Sequence, residues 1–240
     1  MTHSTITWKR WWTMALLCMA LPAFTMAQKG ANKLSSKEKK DHWKLLFNGT
    51  NLDGWRGYNN SSTDAWYVSD GMILNKPGKV DHRSDLVTKD EYGDFELVFD
   101  WKVNKGANSG VIYRIQEGKW ASYESGPEYQ LIDETGYPDQ LKEGQKSGAS
   151  YDMYAPSSVV SKPAGEFNTS RIVAKGNHVE HWLNGVKVAE YEFNSDDWKQ
   201  KKMESKWKDV AQYGQASKGR IALQDHGGGI VFRNIKIREL

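Results

Sequence analysis

Cysteine is almost absent from this 240-residue chain, which has a single cysteine, Cys18, and only six prolines. We expect Cys18 to be removed with an N-terminal signal sequence, for reasons given below. The mature protein would then have no disulfide, no thiol nucleophile and no thiolate metal site. Its stability must therefore come from a hydrophobic core instead of covalent cross-links.

A surplus of charge of one sign is also lacking, because 33 Lys and Arg residues face 30 Asp and Glu residues. Lys9 and Arg10 lie in residues 1–27, which contain no acid, so the rest of the chain is nearly neutral. Nucleic-acid binding depends on excess cations that displace counterions from phosphates. We therefore expect no nucleic-acid partner.

Residues 1–27 have the pattern of a secretory signal peptide. Lys9 and Arg10 form the charged start, residues 11–24 are mostly apolar, and Thr25-Met26-Ala27 offers a cleavage site with small residues. The apolar stretch is short for a membrane span, although a retained membrane anchor is the alternative interpretation. The pattern predicts a secreted protein that has no transmembrane segment once the signal is removed.

Export without disulfides suits the bacterial periplasm or cell surface, where folding can depend on a core alone. Residues 28–41 are polar and Lys-rich, which favours a flexible linker over a binding patch. We therefore expect three parts, a signal at 1–27, a linker at 28–41 and one domain at 42–240.

The domain has the alternation of short β-strands. Between Phe95 and Val103 every second residue is apolar, as expected for a strand with one buried face. Similar segments are 43–47, 111–115, 129–132, 170–175, 179–183, 186–193, 220–224 and 231–237. Many short strands without intervening long helices predict an all-β sandwich or jelly roll of two antiparallel sheets.

Two local signals refine this prediction. Asn184-Gly185 lies between two apolar segments and predicts a hairpin, because both residues tolerate the positive φ of a tight turn. The only plausible helix is polar and Lys-rich, at residues 195–210, and we expect a short surface insertion. The first strand should meet the last, since the ends of a domain often lie together.

Polar side chains interrupt several of the predicted strands, and we expect them on the concave outer face of one sheet. Glu128 shares a face with Gln130, and Gln224 shares a face with His226. Arg114 lies in a third strand. Together these residues would supply an acid or base, a cation and a proton carrier. The alternatives are an ordinary Glu128–Arg114 ion pair and a turn histidine before three glycines.

Loops and one further strand contribute the remaining candidates. Lys162 and Glu166 lie in a Pro- and Gly-containing loop, which could border a site or simply form a turn. Asn108 offers an amide suited to sugar hydroxyls or to turn chemistry, and His181 lies in an apolar strand. His178 and His181 should face opposite sides of that strand, so they would not bind one metal ion together.

Seven segments resemble the 3-keto-disaccharide hydrolase family, formerly a domain of unknown function. The resemblance begins with WKLLFNGTNLDGW at residues 43–55 and covers about residues 42–240. The other matching segments are residues 92–97, 107–111, 128–130, 162–168, 181–185 and 223–235. The resemblance implies a concanavalin-like jelly roll, similar to legume lectins and laminarinases, in secreted bacterial proteins that act beside oxidoreductases producing 3-keto sugars.

The substrate class that the resemblance implies, 3-keto sugars or oligosaccharides, determines what the site must do. A ketone at C3 acidifies the proton on C2, so a base can remove that proton and the C1 substituent can leave. If water then adds to the unsaturated sugar, the net reaction is hydrolysis. If the reaction stops at the unsaturated sugar, the enzyme is a lyase. The chemistry needs a base, a cation or hydrogen-bond donor at the C3 oxygen, and a proton donor for the leaving oxygen.

On this hypothesis Glu128 and His226 are base and acid in either order, and Arg114 or Lys162 stabilises the enolate. We expect sugar hydroxyls to bind side chains with amide, imidazole or carboxylate groups, namely Asn108, Gln130, Gln224, His181 and Glu166. No cofactor is required, although a divalent cation could replace the arginine.

Two other functions remain as alternatives. A non-catalytic carbohydrate-binding module could use the same sandwich, because a fold alone does not decide function. A conventional endoglucanase is disfavoured, because residues 128–133, EYQLID, lack the Glu-x-Asp-x-x-Glu spacing of laminarinases.

Overall fold

A computed structural model describes Met1 and residues 31–240. The predicted signal sequence therefore lies outside the described residues, apart from Met1, as do residues 28–30 of the predicted linker. Neither of the two α-helices in the described part of the chain is long and apolar enough to cross a membrane.

Two antiparallel β-sheets form the domain, as the sequence predicts. The larger sheet contains eight strands: β1 (Lys44–Leu45), β3 (Trp66–Ser69), β4 (Met72–Asn75), β6 (Phe95–Val103), β9 (Asn168–Lys175), β10 (His178–Leu183), β11 (Val186–Glu192) and β13 (Ile230–Glu239). Their order is β11-β10-β9-β6-β13-β4-β3, with β1 also paired to β13.

The smaller sheet contains five strands: β2 (Trp55–Gly57), β5 (Leu86–Thr88), β7 (Asn108–Ile115), β8 (Glu128–Ile132) and β12 (Arg220–Leu223). Their order is β2-β5-β12-β7-β8. This order places β7 at the centre of the candidate site, because it pairs with both β8 and β12.

Aromatic side chains join the inner faces of the two sheets. The apolar face predicted for β6 is buried, with Phe95 and Phe99 fully enclosed. Phe99 contacts Tyr129 of β8 edge to face at 5.8 Å, and Phe95 contacts Tyr113 of β7 at 6.1 Å. Such pairs add specific geometry to the burial of apolar area. The core therefore lies between the sheets and leaves the outer face of the smaller sheet available.

The two ends of the domain meet as predicted, because β1 pairs with β13 through Lys44 opposite Ile237. Residues 31–41 belong to the segment predicted as a linker, and they contact this end of the domain. The Asn32 backbone N–H donates to Asn234 Oδ1 at 2.6 Å, and its side chain donates to Gly71 O at 2.8 Å. A short helix, α1 (Ser36–Lys40), follows. Composition alone did not indicate these attachments.

The hairpin and the helix expected from the sequence are both present. Asn184 and Gly185 have φ values of 50° and 85° and connect β10 to β11. The helix α2 (Asp196–Glu204) begins after Ser195, whose hydroxyl accepts a hydrogen bond from the Trp198 backbone N–H. It ends earlier than the polar composition predicts, and residues 205–210 form turns that reach the outer face of the smaller sheet.

Candidate functional site

A small pocket of about 190 Å³ opens on the outer face of the smaller sheet. Strand alternation explains its floor, because Tyr129 and Leu131 of β8 enter the core while Glu128 and Gln130 face outward. Two adjoining depressions share Asn108 with it, so the site extends along the sheet. The pocket is lined by Asn108, Tyr123, Glu128, Tyr151, Lys206, Gln224 and His226.

A glycine on the neighbouring strand makes room for the Glu128 carboxylate. Gly110 of β7 pairs with Gln130, and Ile112 pairs with Glu128. A Cβ atom at Gly110 would lie 2.3 Å from Glu128 Oε1, far inside van der Waals contact. Any larger residue at this position would displace the carboxylate. The absence of a side chain at Gly110 therefore leaves the space that Glu128 occupies.

Glu128 is the one carboxylate among the described residues that line the pocket. It is only 4% exposed, and this burial raises the pKa of Glu128 well above its ordinary value. The positive charge of Lys206 opposes that shift, the nearby Asp85 adds to it, and a hydrogen bond from Gln224 opposes it. A carboxylate with a raised pKa is a stronger base once ionised, which suits proton abstraction near neutral pH.

Three amide oxygens point to a ligand that donates hydrogen bonds. Asn108 Oδ1, Gln130 Oε1 and Gln224 Oε1 are buried and have no hydrogen-bond partner among the described residues. Buried acceptors normally find partners, and these three lie together in adjoining depressions. Sugar hydroxyls would satisfy all three.

His226 lies at the exposed rim of the pocket and also borders an adjoining depression beside residues 227–229. Asp85 lies close by and is partly buried. Burial raises the pKa of Asp85 to about 6, while hydrogen bonds from Ser122 Oγ and the Asp225 backbone N–H oppose that rise, as does the charge of His226. Sequence reasoning missed Asp85, whose only signal is an acidic residue directly before β5.

Lys206 is the second residue that sequence reasoning missed. Its Nζ atom lies 4.1 Å from the centre of the Tyr151 ring, 4.3 Å from that of Trp207 and 5.6 Å from that of Tyr123. These cation–π contacts hold the ammonium at the mouth of the pocket. Lys206 lies within residues 195–210, which were predicted to be a polar surface helix. Because that segment is rich in lysine, nothing in the sequence distinguished Lys206 from its neighbours.

The structure does not bring Arg114 into the pocket. The side chain is 2% exposed and donates hydrogen bonds to Gly93 O and Gly176 O, with Asp94 Oδ1 at 3.3 Å. The cause is local, since Arg114 has a φ of 54° and the register between β7 and β12 shifts there. Such a bulge breaks the alternation of a strand. Arg114 forms neither the predicted convergence with Glu128 nor an ion pair with it.

His181 also lies elsewhere, in the core between the sheets. Its Nδ1–H donates to Gly148 O at 3.0 Å, and its Nε2 lies 2.9 Å from the Tyr113 hydroxyl, which donates to it. Complete burial lowers the pKa of His181 to about 4. The position of His181 therefore does not support its predicted role as a sugar ligand.

The loop that contains Lys162 and Glu166 is outside the pocket as well. The Lys162 ammonium donates to Phe167 O at 2.9 Å, and its backbone N–H donates to Asn168 Oδ1 at 2.8 Å. Glu166 is exposed in the same turn, which leads into β9. These contacts match the alternative interpretation, in which the loop is simply a turn that leads into a strand. Neither residue lines the pocket.

One group on the larger sheet could hold a metal ion. The ligand atoms of His178, Glu180 and Glu190 lie within 4.8 Å of one another. Lys187 already pairs with both carboxylates there, at 3.4 Å from Glu180 and 2.6 Å from Glu190. The partly exposed His178 and the buried His181 face opposite sides of β10, as predicted.

Comparison with known proteins gives consistent matches over the domain. A family model described as the 3-keto-alpha-glucoside-1,2-lyase-like domain matches residues 42–238. A Bacteroides thetaiotaomicron protein named 3-keto-disaccharide hydrolase is 32% identical over 229 residues, covering 83% of this chain and 79% of that protein.

Solved structures agree on the fold. A candidate glycosyl hydrolase from Parabacteroides distasonis is 39% identical with a TM-score of 0.82, covering 88% of this chain and 99% of that one. A second such protein from the same organism is 30% identical with a TM-score of 0.66, covering 82% of this chain and 99% of that one.

Proposed function

Because the chain belongs to the 3-keto-alpha-glucoside-1,2-lyase-like domain family, we propose that it cleaves the glycosidic bond of 3-keto glucosides. The observation that carries the proposal is the buried Glu128 carboxylate, which lines a pocket beside Asn108 and Gln224, whose amide oxygens have no hydrogen-bond partner among the described residues. The relationship itself supports a carbohydrate hydrolase, and the pocket chemistry supports the finer reaction.

The reaction begins with removal of the C2 proton, which the C3 ketone acidifies. Glu128 is the base, because it lies on the pocket floor and burial makes its ionised form more basic than an ordinary carboxylate. The resulting enolate expels the oxygen on C1 and leaves a double bond between C1 and C2. Water addition to that bond returns a 3-keto sugar and completes a net hydrolysis.

His226 is the proton donor for the leaving oxygen. Its place on the rim, opposite the enclosed floor, suits a group that meets the departing half of the substrate. Asn108, Gln130 and Gln224 bind hydroxyls through their free amide oxygens. None of these steps needs the closely spaced carboxylate pair of a retaining glycosidase.

The test is to incubate the purified protein with a 3-keto glucoside and with its unoxidised parent. We expect cleavage of the keto sugar alone, and loss of turnover in Glu128→Gln with an unchanged melting temperature. Cleavage of both sugars, or of neither, would contradict the proposal. Unchanged turnover in Glu128→Gln would remove Glu128 from the role of base.

A non-catalytic carbohydrate-binding module is the second candidate, favoured by the three unpartnered amide oxygens. Those groups would bind a sugar whether or not chemistry followed. The same experiment separates the two functions. Binding of the keto sugar, measured by calorimetry, without any product would support the binding module and reject the enzyme.

A further inference from the structure

Elimination from a 3-keto sugar needs positive charge beside the C3 oxygen, where the enolate develops. The residues expected to supply it, Arg114 and Lys162, are committed to backbone carbonyls away from the pocket. Of the pocket-lining side chains in the described part of the chain, Lys206 is the one with an ammonium group. The pocket therefore has a cation, on a segment that neither strand alternation nor the family motifs indicated.

The surroundings of Lys206 hold its charge in place without neutralising it. Its ammonium contacts the rings of Tyr151, Trp207 and Tyr123, and within residues 31–240 no carboxylate forms an ion pair with it. Its backbone N–H donates to Asp152 Oδ2 at 2.7 Å, which fixes the start of the side chain. Ring faces attract a cation but leave its N–H donors free for an incoming oxygen.

We propose that Lys206 is a catalytic residue that binds the C3 oxygen of the substrate and stabilises the enolate. This proposal rests on the proposed function, and it assigns the electrophilic half of that reaction. Glu128 and Lys206 line one pocket of about 190 Å³, so a base and a cation can reach adjacent carbon centres of one sugar ring.

The electron flow is balanced by groups already in the pocket. The Glu128 carboxylate takes the C2 proton, the C–H electron pair forms the C2–C3 double bond, and the carbonyl pair moves onto the oxygen beside Lys206. When the ketone re-forms, the C1–C2 double bond appears and the C1–O bond breaks. The leaving oxygen takes its pair and a proton from His226. No oxidant, reductant or metal ion is required.

The position of Lys206 also supports the base. Its charge opposes the rise that burial causes in the pKa of Glu128, and Glu128 in turn opposes the fall that partial desolvation causes in the pKa of Lys206. Each group thus favours the charged form of the other. The reaction requires these charged forms, a Glu128 carboxylate that accepts the proton and a Lys206 ammonium that stabilises the enolate oxygen.

The experiment compares Lys206→Met and Lys206→Arg with Lys208→Met, an exposed lysine two residues away that does not line the pocket. We expect Lys206→Met to lower kcat on a 3-keto glucoside by about 100-fold or more with a small change in KM, as for a lost oxyanion donor. Lys206→Arg should recover part of that loss, and Lys208→Met should match the wild type.

A second readout separates catalysis from structure. Loss of the Lys206 charge should move the acidic limb of the kcat/KM profile to higher pH, because the pKa of Glu128 rises further. Turnover of Lys206→Met within a few-fold of Lys208→Met, or an unmoved pH limb, would overturn the role of Lys206 while leaving the proposed function intact. A wild-type protein that does not cleave the keto sugar would overturn both.

Discussion

The pKa of Glu128 depends on the residues that surround it, and one of these is Asp85, which sequence reasoning missed. Asp85 lies nearby, and its negative charge raises the pKa of Glu128. Ionisation of Glu128 is required for proton abstraction, so kcat/KM should rise with pH through a pKa well above that of an ordinary glutamate.

Replacement of Asp85 by Asn should move the rise in kcat/KM, the acidic limb of the pH profile, to lower pH. The neutral amide removes the repulsion that disfavours the Glu128 carboxylate, so the base ionises at a lower pH. The measurement is the pH dependence of kcat/KM for Asp85→Asn beside Asp90→Asn, an exposed control. A limb that stays in place, or moves upward, would show that Asp85 does not tune the base.

Asn108 was chosen for the amide group that it offers in a predicted loop, whereas Glu128, Gln130 and Gln224 share a physical signal. They interrupt apolar strands at outward positions, and strand period alone places such side chains on one face. Lys206 could not be found in this way, because it reaches the pocket from turns after α2, and no periodicity describes a turn.

At the scale of the strands, β7 shows both the strength and the limit of alternation. Gly110 and Ile112 face outward as the period requires, and they pair with Gln130 and Glu128. The period fails at Arg114, where a positive φ redirects the side chain toward Gly93 and Gly176. A bulge is a feature of the paired strands together, so one strand's sequence does not reveal it.

Gly110→Ala tests the contact between β7 and β8. The added Cβ atom would lie 2.3 Å from Glu128 Oε1, so the carboxylate must leave its position. We expect turnover to fall by about 100-fold, since small misplacements of a reacting group carry costs of that order. Gly54→Ala is the matched control, because the nearest atom there is 3.5 Å from the added carbon.

Activity and thermal melting of both variants provide the measurement. A fall in turnover for Gly110→Ala, with melting close to that of Gly54→Ala, would support the steric role. Equal turnover in the two variants would show that Glu128 does not need the space that Gly110 leaves.

For the whole molecule, the sandwich follows from alternation and turn signals, and the pairing of the first and last strands follows from the usual closeness of the ends of a domain. The attachment of residues 31–41 does not, because it depends on side-chain amides such as Asn32 meeting Asn234 across the folded domain. His181 illustrates the same limit in the core. The sequence places His181 in a strand, but only the packing of the two sheets determines that this face of the strand is buried.

Burial of neutral His181 should make stability depend on pH. The pKa of His181 is about 4 in the folded protein and about 6.5 when unfolded, so the unfolded chain binds the extra proton between these values. The free energy of unfolding therefore falls as pH falls through this window, by up to about 3 kcal/mol.

Urea unfolding of the wild type and His181→Gln at pH 7 and at pH 4.5 measures this effect. The wild type should lose more stability than the variant, because glutamine carries no titrating group. Equal losses would show that His181 does not titrate in this way.

Proton removal from C2 is the central claim, and a substrate deuterated at C2 tests it most directly. The wild type should turn over a C2-deuterated 3-keto glucoside in ordinary water with loss of the deuterium from the sugar product. Substrate incubated with Glu128→Gln gives the rate of loss without the base. Product that keeps its C2 deuterium at full turnover would contradict the account, because the glycosidic bond would then break without an enolate.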